Sequence, residues 1–92
     1  MTELDFYEGL KIIRKATEPI DVTFVGLSLQ KNEGGQVKTL HRQLLGPLKK
    51  NMNEKYMIGL KNTDTDAASH IYIHTLLSIR LHNNLEYKLV LN

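Results

Sequence analysis

The chain contains no cysteine. A disulfide framework, a thiolate metal site and a cysteine nucleophile are therefore excluded. Tryptophan is absent, and Pro19 and Pro47 are the only prolines. No apolar run approaches the roughly 20 residues that span a bilayer, so no membrane partner is expected. The start, Met1-Thr2-Glu3-Leu4-Asp5, is acidic, whereas a secretory leader needs a basic start, an apolar stretch and a small-residue cleavage site. No lipidation motif is present. These absences lead to the expectation of a cytoplasmic protein. Neither sign of charge dominates: 12 Lys and Arg stand against 10 acids, a net charge of +2. That is too mild to announce nucleic-acid binding by itself.

What is present suffices for one core. The chain has 92 residues, 41% of them hydrophobic, which fits a single domain over 1–92 and leaves no room for two. Thr2 with Asp5 three residues later resembles a capping box. Phe6, Leu10 and Ile13 then recur at helical spacing with Tyr7 at the edge of the stripe, and Lys11, Arg14 and Lys15 come late, where cations suit a helix end. Pro19 stops the pattern. The reading is one amphipathic helix over about residues 3–16.

From Ile20 onward the composition turns to Val, Thr, Phe and Leu, which suits strands. The first runs to Gln30, with Val25, Leu27 and Leu29 on one face and Val22 and Phe24 on the other. Lys31-Asn32-Glu33-Gly34-Gly35 reads as a turn, pairing this strand with Gln36 to Leu45. Further strands are read at Lys55 to Lys61 (Tyr56, Ile58 and Leu60 on one face), His70 to His74, Leu76 to Leu81 and Leu85 to Leu91. In the last hairpin a two-residue loop would set Leu81 opposite Glu86. A three-residue loop, His82-Asn83-Asn84, pairs Leu81 with Leu85, Ile79 with Tyr87 and Leu77 with Leu89, with left-handed Asn84 closing it. The expected fold class is mainly β (α+β): an N-terminal helix followed by a small five- to six-stranded antiparallel barrel over about 20–91.

The order of Val22-Thr23-Phe24, the turn at 31–35, Val37-Lys38-Thr39-Leu40, Gly46-Pro47-Leu48, Lys55-Tyr56-Met57-Ile58-Gly59-Leu60, His70-Ile71-Tyr72-Ile73-His74 and Leu77-Ser78-Ile79 resembles the Sm-like, Src-homology-3-like barrels of the WYL group. It is closest to the short single-barrel members of bacteria and phages, and covers about residues 20–82. The resemblance implies a ligand-sensing or nucleic-acid-sensing module of the kind attached to transcription regulators. The Trp-Tyr-Leu triplet of the group is missing, with Lys55-Tyr56-Met57 near its place. The arginine-bearing stretch that serves ligand contact in the group is represented by Tyr72-Ile73-His74-Thr75.

Few constellations carry chemistry. On a helix His70-x-x-x-His74 could share a metal. In a strand the two Cα atoms stand about 13 Å apart, and the alternation with Ile71 and Ile73 reads as outward polar residues. Asn62-x-Asp64-x-Asp66 opens like a calcium loop, but Ala67 and Ile73 stand where Gly and Glu are required. No Gly-x-Ser-x-Gly elbow or phosphate-binding loop is present. No catalytic residue, metal or cofactor is assigned, and the chain is expected to be non-enzymatic.

Charge distribution is more informative than its total. Residues 36–62 carry Lys38, Arg42, Lys49, Lys50, Lys55 and Lys61 against Glu54 alone, a net of +5 between acidic flanks. Lys38, Arg42, Lys49, Lys50 and Lys55 could follow a phosphate backbone, with Tyr56 or Tyr72 stacking on a base. The competing reading is a solvated lysine face. A third is self-association as a homodimer through strand edges and the apolar Leu44, Leu45, Leu48 and Leu76-Leu77.

Overall fold

A computed structural model describes residues 2–28, 33–50 and 52–90. The elements run β1 (Thr2–Asp5), α1 (Phe6–Lys15), β2 (Ile20–Ser28), β3 (Glu33–Leu45), β4 (Met57–Asn62), β5 (Ala68–Tyr72), a 3₁₀ turn (Ile73–Thr75), β6 (Leu76–Arg80) and β7 (Glu86–Val90). The helix starts later than its sequence suggests. Its cap is Asp5, whose carboxylate accepts from the backbone N–H of Tyr7 (3.0 Å) and Glu8 (3.4 Å), two of the donors a helix start leaves open. Thr2 is therefore no cap. Residues 2–5 instead form a strand parallel to β7, with Thr2 opposite Tyr87 and Asp5 opposite Val90. Phe6, Leu10 and Ile13 are buried, as their spacing predicts.

The sheet has seven strands in the order β1-β7-β6-β2-β3-β4-β5. It is mixed, because β1 is parallel and the other pairs are antiparallel. Among the described residues its end strands β1 and β5 do not pair, so it is not closed. This corrects the expected antiparallel barrel of five or six strands. The reason is a long-range pairing: residues 2–5 flank β7, some 85 positions on, and the helix that follows them packs its apolar face into the core. The core joins Phe6, Leu10 and Ile13 of α1 to Ile20 and Val22, Ile58 and Leu60, Ile71 and Ile73, Leu76 and Ile79, and Leu89. Both ends of the sheet thus contribute to one core, Ile71 from β5 and the partly buried Leu4 from β1.

Strand parity holds where the ladders are regular. Asn84 adopts φ 67°, Leu81 donates to the Leu85 carbonyl at 2.8 Å, and Ile79 pairs with Tyr87, so the last hairpin has its three-residue loop. Parity fails at a bulge where Thr23 pairs with Ser78 but Phe24 with Leu76. The extra residue, Leu77, leaves the core face and is 38% exposed, while Leu76 is buried. The strand expected at His70 to His74 ends at Tyr72. Tyr56, expected on a strand face, precedes β4. The turn positions Lys31 and Asn32, and the face positions Leu29 and Leu91, lie outside the described residues.

The β3–β4 connection is fixed by a close backbone crossing. Gly46 donates to the Gly59 carbonyl at 2.8 Å. A Cβ at Gly59 would meet the carbonyl oxygens of Pro47 at 2.6 Å and Gly46 at 2.7 Å. Backbone atoms on both sides leave nothing flexible to yield. Gly59→Ala should therefore cost about 1–3 kcal/mol, the usual penalty of overpacking. It should lower the urea midpoint at unchanged slope.

Candidate functional site

The basic middle section begins on β3, which changes partners along its length. Glu33 to Gln43 pair with β2, and Gln43 to Leu45 pair with β4. The change occurs at a bulge, where Asp21 faces both His41 and Arg42, and Arg42 takes the left-handed φ of 55°. The Asp21 carboxylate accepts from the Arg42 N–H at 3.0 Å and lies 3.3 Å from His41 Nδ1. On the other side, the His41 carbonyl accepts from the side-chain amides of Gln43 (2.8 Å) and Asn62 (3.1 Å). The Arg42 carbonyl accepts from the Thr63 N–H at 2.9 Å and its hydroxyl at 3.2 Å. Apart from the Gln43 amide, which belongs to β3, these contacts tie the bulge to β2 and to the β4–β5 turn.

That turn is the calcium-like stretch. Asn62 Oδ1 accepts from the N–H of Asp64 (2.8 Å) and Thr65 (3.0 Å), which fixes an Asx turn. Its acids diverge toward bases: Asp64 meets Arg42 Nε at 2.8 Å, and Asp66 lies 3.5 Å from Lys61 Nζ. Arg42 and Lys61 are thereby neutralised. Among the described residues no ion pair engages Lys38, Lys49, Lys50 or Lys55. Lys38 lies on β3, and Lys49 and Lys50 in the β3–β4 connection. The six expected binding residues are thus divided, and Arg42 belongs to the bulge.

Lys55 and Tyr56 enter a groove of about 730 Å³ between α1, the turn before β4 and the 3₁₀ turn. The turn before β4 is built on Asn53, whose carbonyl accepts from the N–H of Tyr56 and Met57, each at 3.0 Å, and whose side chain accepts from the Lys55 N–H at 2.9 Å. The Tyr56 carbonyl accepts from the Ile73 N–H at 2.8 Å, which joins the two turns. Phe6, Leu10 and Ile73, all buried, contribute apolar lining. Tyr7, Tyr56 and His74 contribute rings, Arg14 and Lys55 positive charge, and Glu54 the single carboxylate. Tyr7 is 65% exposed and Tyr56 62%. Tyr7 is braced edge-on by Phe6 at 5.8 Å, and His74 lies against Tyr72 at 5.7 Å.

Tyr7, Arg14 and His74 are not among the nucleic-acid-binding residues read from the sequence, where His74 is weighed only as a metal partner of His70 and within the stretch Tyr72 to Thr75. A signal existed for two of them, since Tyr7 and Arg14 are seven residues apart and so share one helix flank. The chemistry the groove offers is stacking, with cations at its margin. Among the described residues, no group of three or more His, Asp or Glu is placed to hold a metal ion. His70 lies on β5 and His74 in the 3₁₀ turn. Of the leucines suggested for self-association, Leu45 is exposed but Leu76 is in the core. No protein-family model, curated protein or solved structure matches the chain.

The bulge yields a paired test. Asp21→Ala removes a charge-assisted bond to the Arg42 N–H and should cost about 1–3 kcal/mol. Arg42→Gly gives up an exposed ion pair worth about 0–1 kcal/mol, and relieves a left-handed side chain worth about 1–2 kcal/mol. Its urea midpoint should stay close to that of the parent, while that of Asp21→Ala falls.

Proposed function

We propose that the chain is a non-enzymatic binding module that takes single-stranded nucleic acid in the groove between α1, the turn before β4 and the 3₁₀ turn. The observation that carries this reading is the placement of two exposed phenols, Tyr7 and Tyr56, beside Arg14 and Lys55 over an apolar lining. Aromatic faces accept any unpaired base, and cations beside them accept the connecting phosphates. A duplex keeps its bases stacked on one another and offers such rings no free face. Lys49 and Lys50, on the connection leading to the turn, extend positive charge beyond the groove.

The same reading makes the chain a regulatory accessory protein of the cytoplasm. It also keeps the resemblance to the WYL group, whose members look like ligand- or nucleic-acid-sensing modules, as a proposal of kinship. For membranes the structure supports only the plain statement that no helix among the described residues is long and apolar enough to cross one.

The test is fluorescence anisotropy with a labelled short oligothymidylate. Binding should weaken steeply with salt. Tyr56→Ala should lower affinity roughly 5- to 100-fold, the range expected for one lost stacking partner. Lys55→Ala should reduce the salt slope by about 0.7, the value for one phosphate contact on a single strand. Lys61→Ala, whose charge Asp66 already answers, should leave affinity unchanged. Absence of binding at low salt overturns the proposal, as does an equal loss in Lys61→Ala and Lys55→Ala.

A further inference from the structure

The outer edge of β3 is a second surface, independent of the groove. From Glu33 to Arg42 this edge faces no strand among the described residues, because β4 takes up only Gln43 to Leu45. On its inner side β2 runs past its own cover as well, since β6 reaches only to Phe24. The outer parts of β2 and β3 therefore stand out from the sheet as a two-stranded ribbon. Gln36, Val37, Lys38 and Thr39 are all exposed, and Val37 is 64% exposed. An isolated ribbon is marginal in water, and its free edge carries N–H and C=O groups suited to pairing with another strand.

Natural edges are commonly blunted by a lysine, a proline or a bulge. No proline stands here, and the two bulges lie at the ends of the stretch, one at His41 and Arg42 and one between Glu33 and Gln36, so that Gln36 to Leu40 run regularly. Lys38 is the one basic residue between Glu33 and His41, and its stem is drawn off the edge. A Cβ at Gly26, diagonally across on β2, would lie 3.0 Å from Lys38 Cδ and Cε. Gly26 thus leaves a seat across which the lysine folds back over the ribbon.

We infer that this edge pairs antiparallel with the same edge of a second copy, about a two-fold axis at Val37. A closed two-fold sets one residue opposite its own copy. With the axis at Val37, Val37 faces Val37, Gln36 faces Lys38 and Gly35 faces Thr39. Val25 is already the partner of Val37 within the ribbon. The dimer therefore aligns four valines in a row across four strands, Val25, Val37, Val37 and Val25, and covers the exposed side chain. Moving the axis one residue toward the C-terminus sets Lys38 against Lys38, and like charges directly opposite are destabilising. Moving it one residue the other way sets Val37 against Gly35, which has no side chain to cover it. Pattern and charge both select the Val37 register, and the partner is a second copy of this chain.

Sedimentation equilibrium at rising micromolar concentration should give a mass tending to twice the 10.6 kDa of one chain. Val37→Glu places like charges at the axis and should raise the dimer dissociation constant about tenfold or more. Its circular dichroism should match the parent, because the side chain is exposed in one copy. The register is read by cross-linking, which is clean in a chain without cysteine. Under mild oxidation Val37→Cys should form a covalent dimer, since facing Cα atoms in an antiparallel pair come within about 4.5–5.5 Å, inside the span of a disulfide. Thr39→Cys should not, because its copies stand four positions apart in register, about 13 Å along the strand. A parent that stays monomeric throughout overturns the inference. So does a Val37→Cys variant that fails to cross-link, or a Thr39→Cys variant that cross-links as readily.

Discussion

One carboxylate organises the middle of this protein. Asp21 Oδ1 takes the N–H of Arg42 and holds that residue in a conformation few arginines adopt. The extra residue bends β3 between the stretch paired with β2 and its last three residues, whose other edge pairs with β4. The carbonyls of His41 and Arg42 are answered from Gln43, Asn62 and Thr63, so the bend is held from both sides. Gln43 is itself buried, and among the described residues its Oε1 has no hydrogen-bond partner while its amide donor points at the bend.

The groove is a consequence of that bend. Once β4 and β5 are carried round, the connection before β4 and the 3₁₀ turn after β5 come together at the Tyr56–Ile73 backbone bond. The helix, entering directly from β1 through the Asp5 cap, presents Tyr7 and Arg14 on the opposite side. The groove is thus assembled from three segments that are remote in sequence. Its rings are anchored through short backbone turns.

Legibility in the sequence followed the range of the interactions. The helix stripe of Phe6, Leu10 and Ile13 and the last hairpin were readable, because a local period or a left-handed Asn84 determines them. Strand β1 was not, since four residues of mixed polarity show no period and gain their strand from β7 at the far end of the chain. The small antiparallel barrel of five or six strands was wrongly expected for the same reason. Leu77 was assigned to the core face because nothing in the sequence marks its bulge. Arg42 gave no turn signal, since Gly or Asn is the usual occupant of its conformation. The basic section was visible as charge, but Asp64 and Asp66, which neutralise two of its members, lie outside it in sequence. Lys55 and Tyr56 were recognisable as residue types, and Tyr7, Arg14 and His74 join them only through the fold.

The parallel pairing of β1 with β7 also bears on how the chain is made. Residues 2–5 meet their partners only after residues 87–90 have been synthesised. The helix follows β1 with no intervening residue, so its final seat waits as well. Phe6, Leu10 and Ile13 precede in sequence every other residue of the buried core they join. Contacts of such long sequence separation slow folding. The pairing of β1 with β7 is the contact of longest sequence separation in the sheet, and the seat of the helix depends on it.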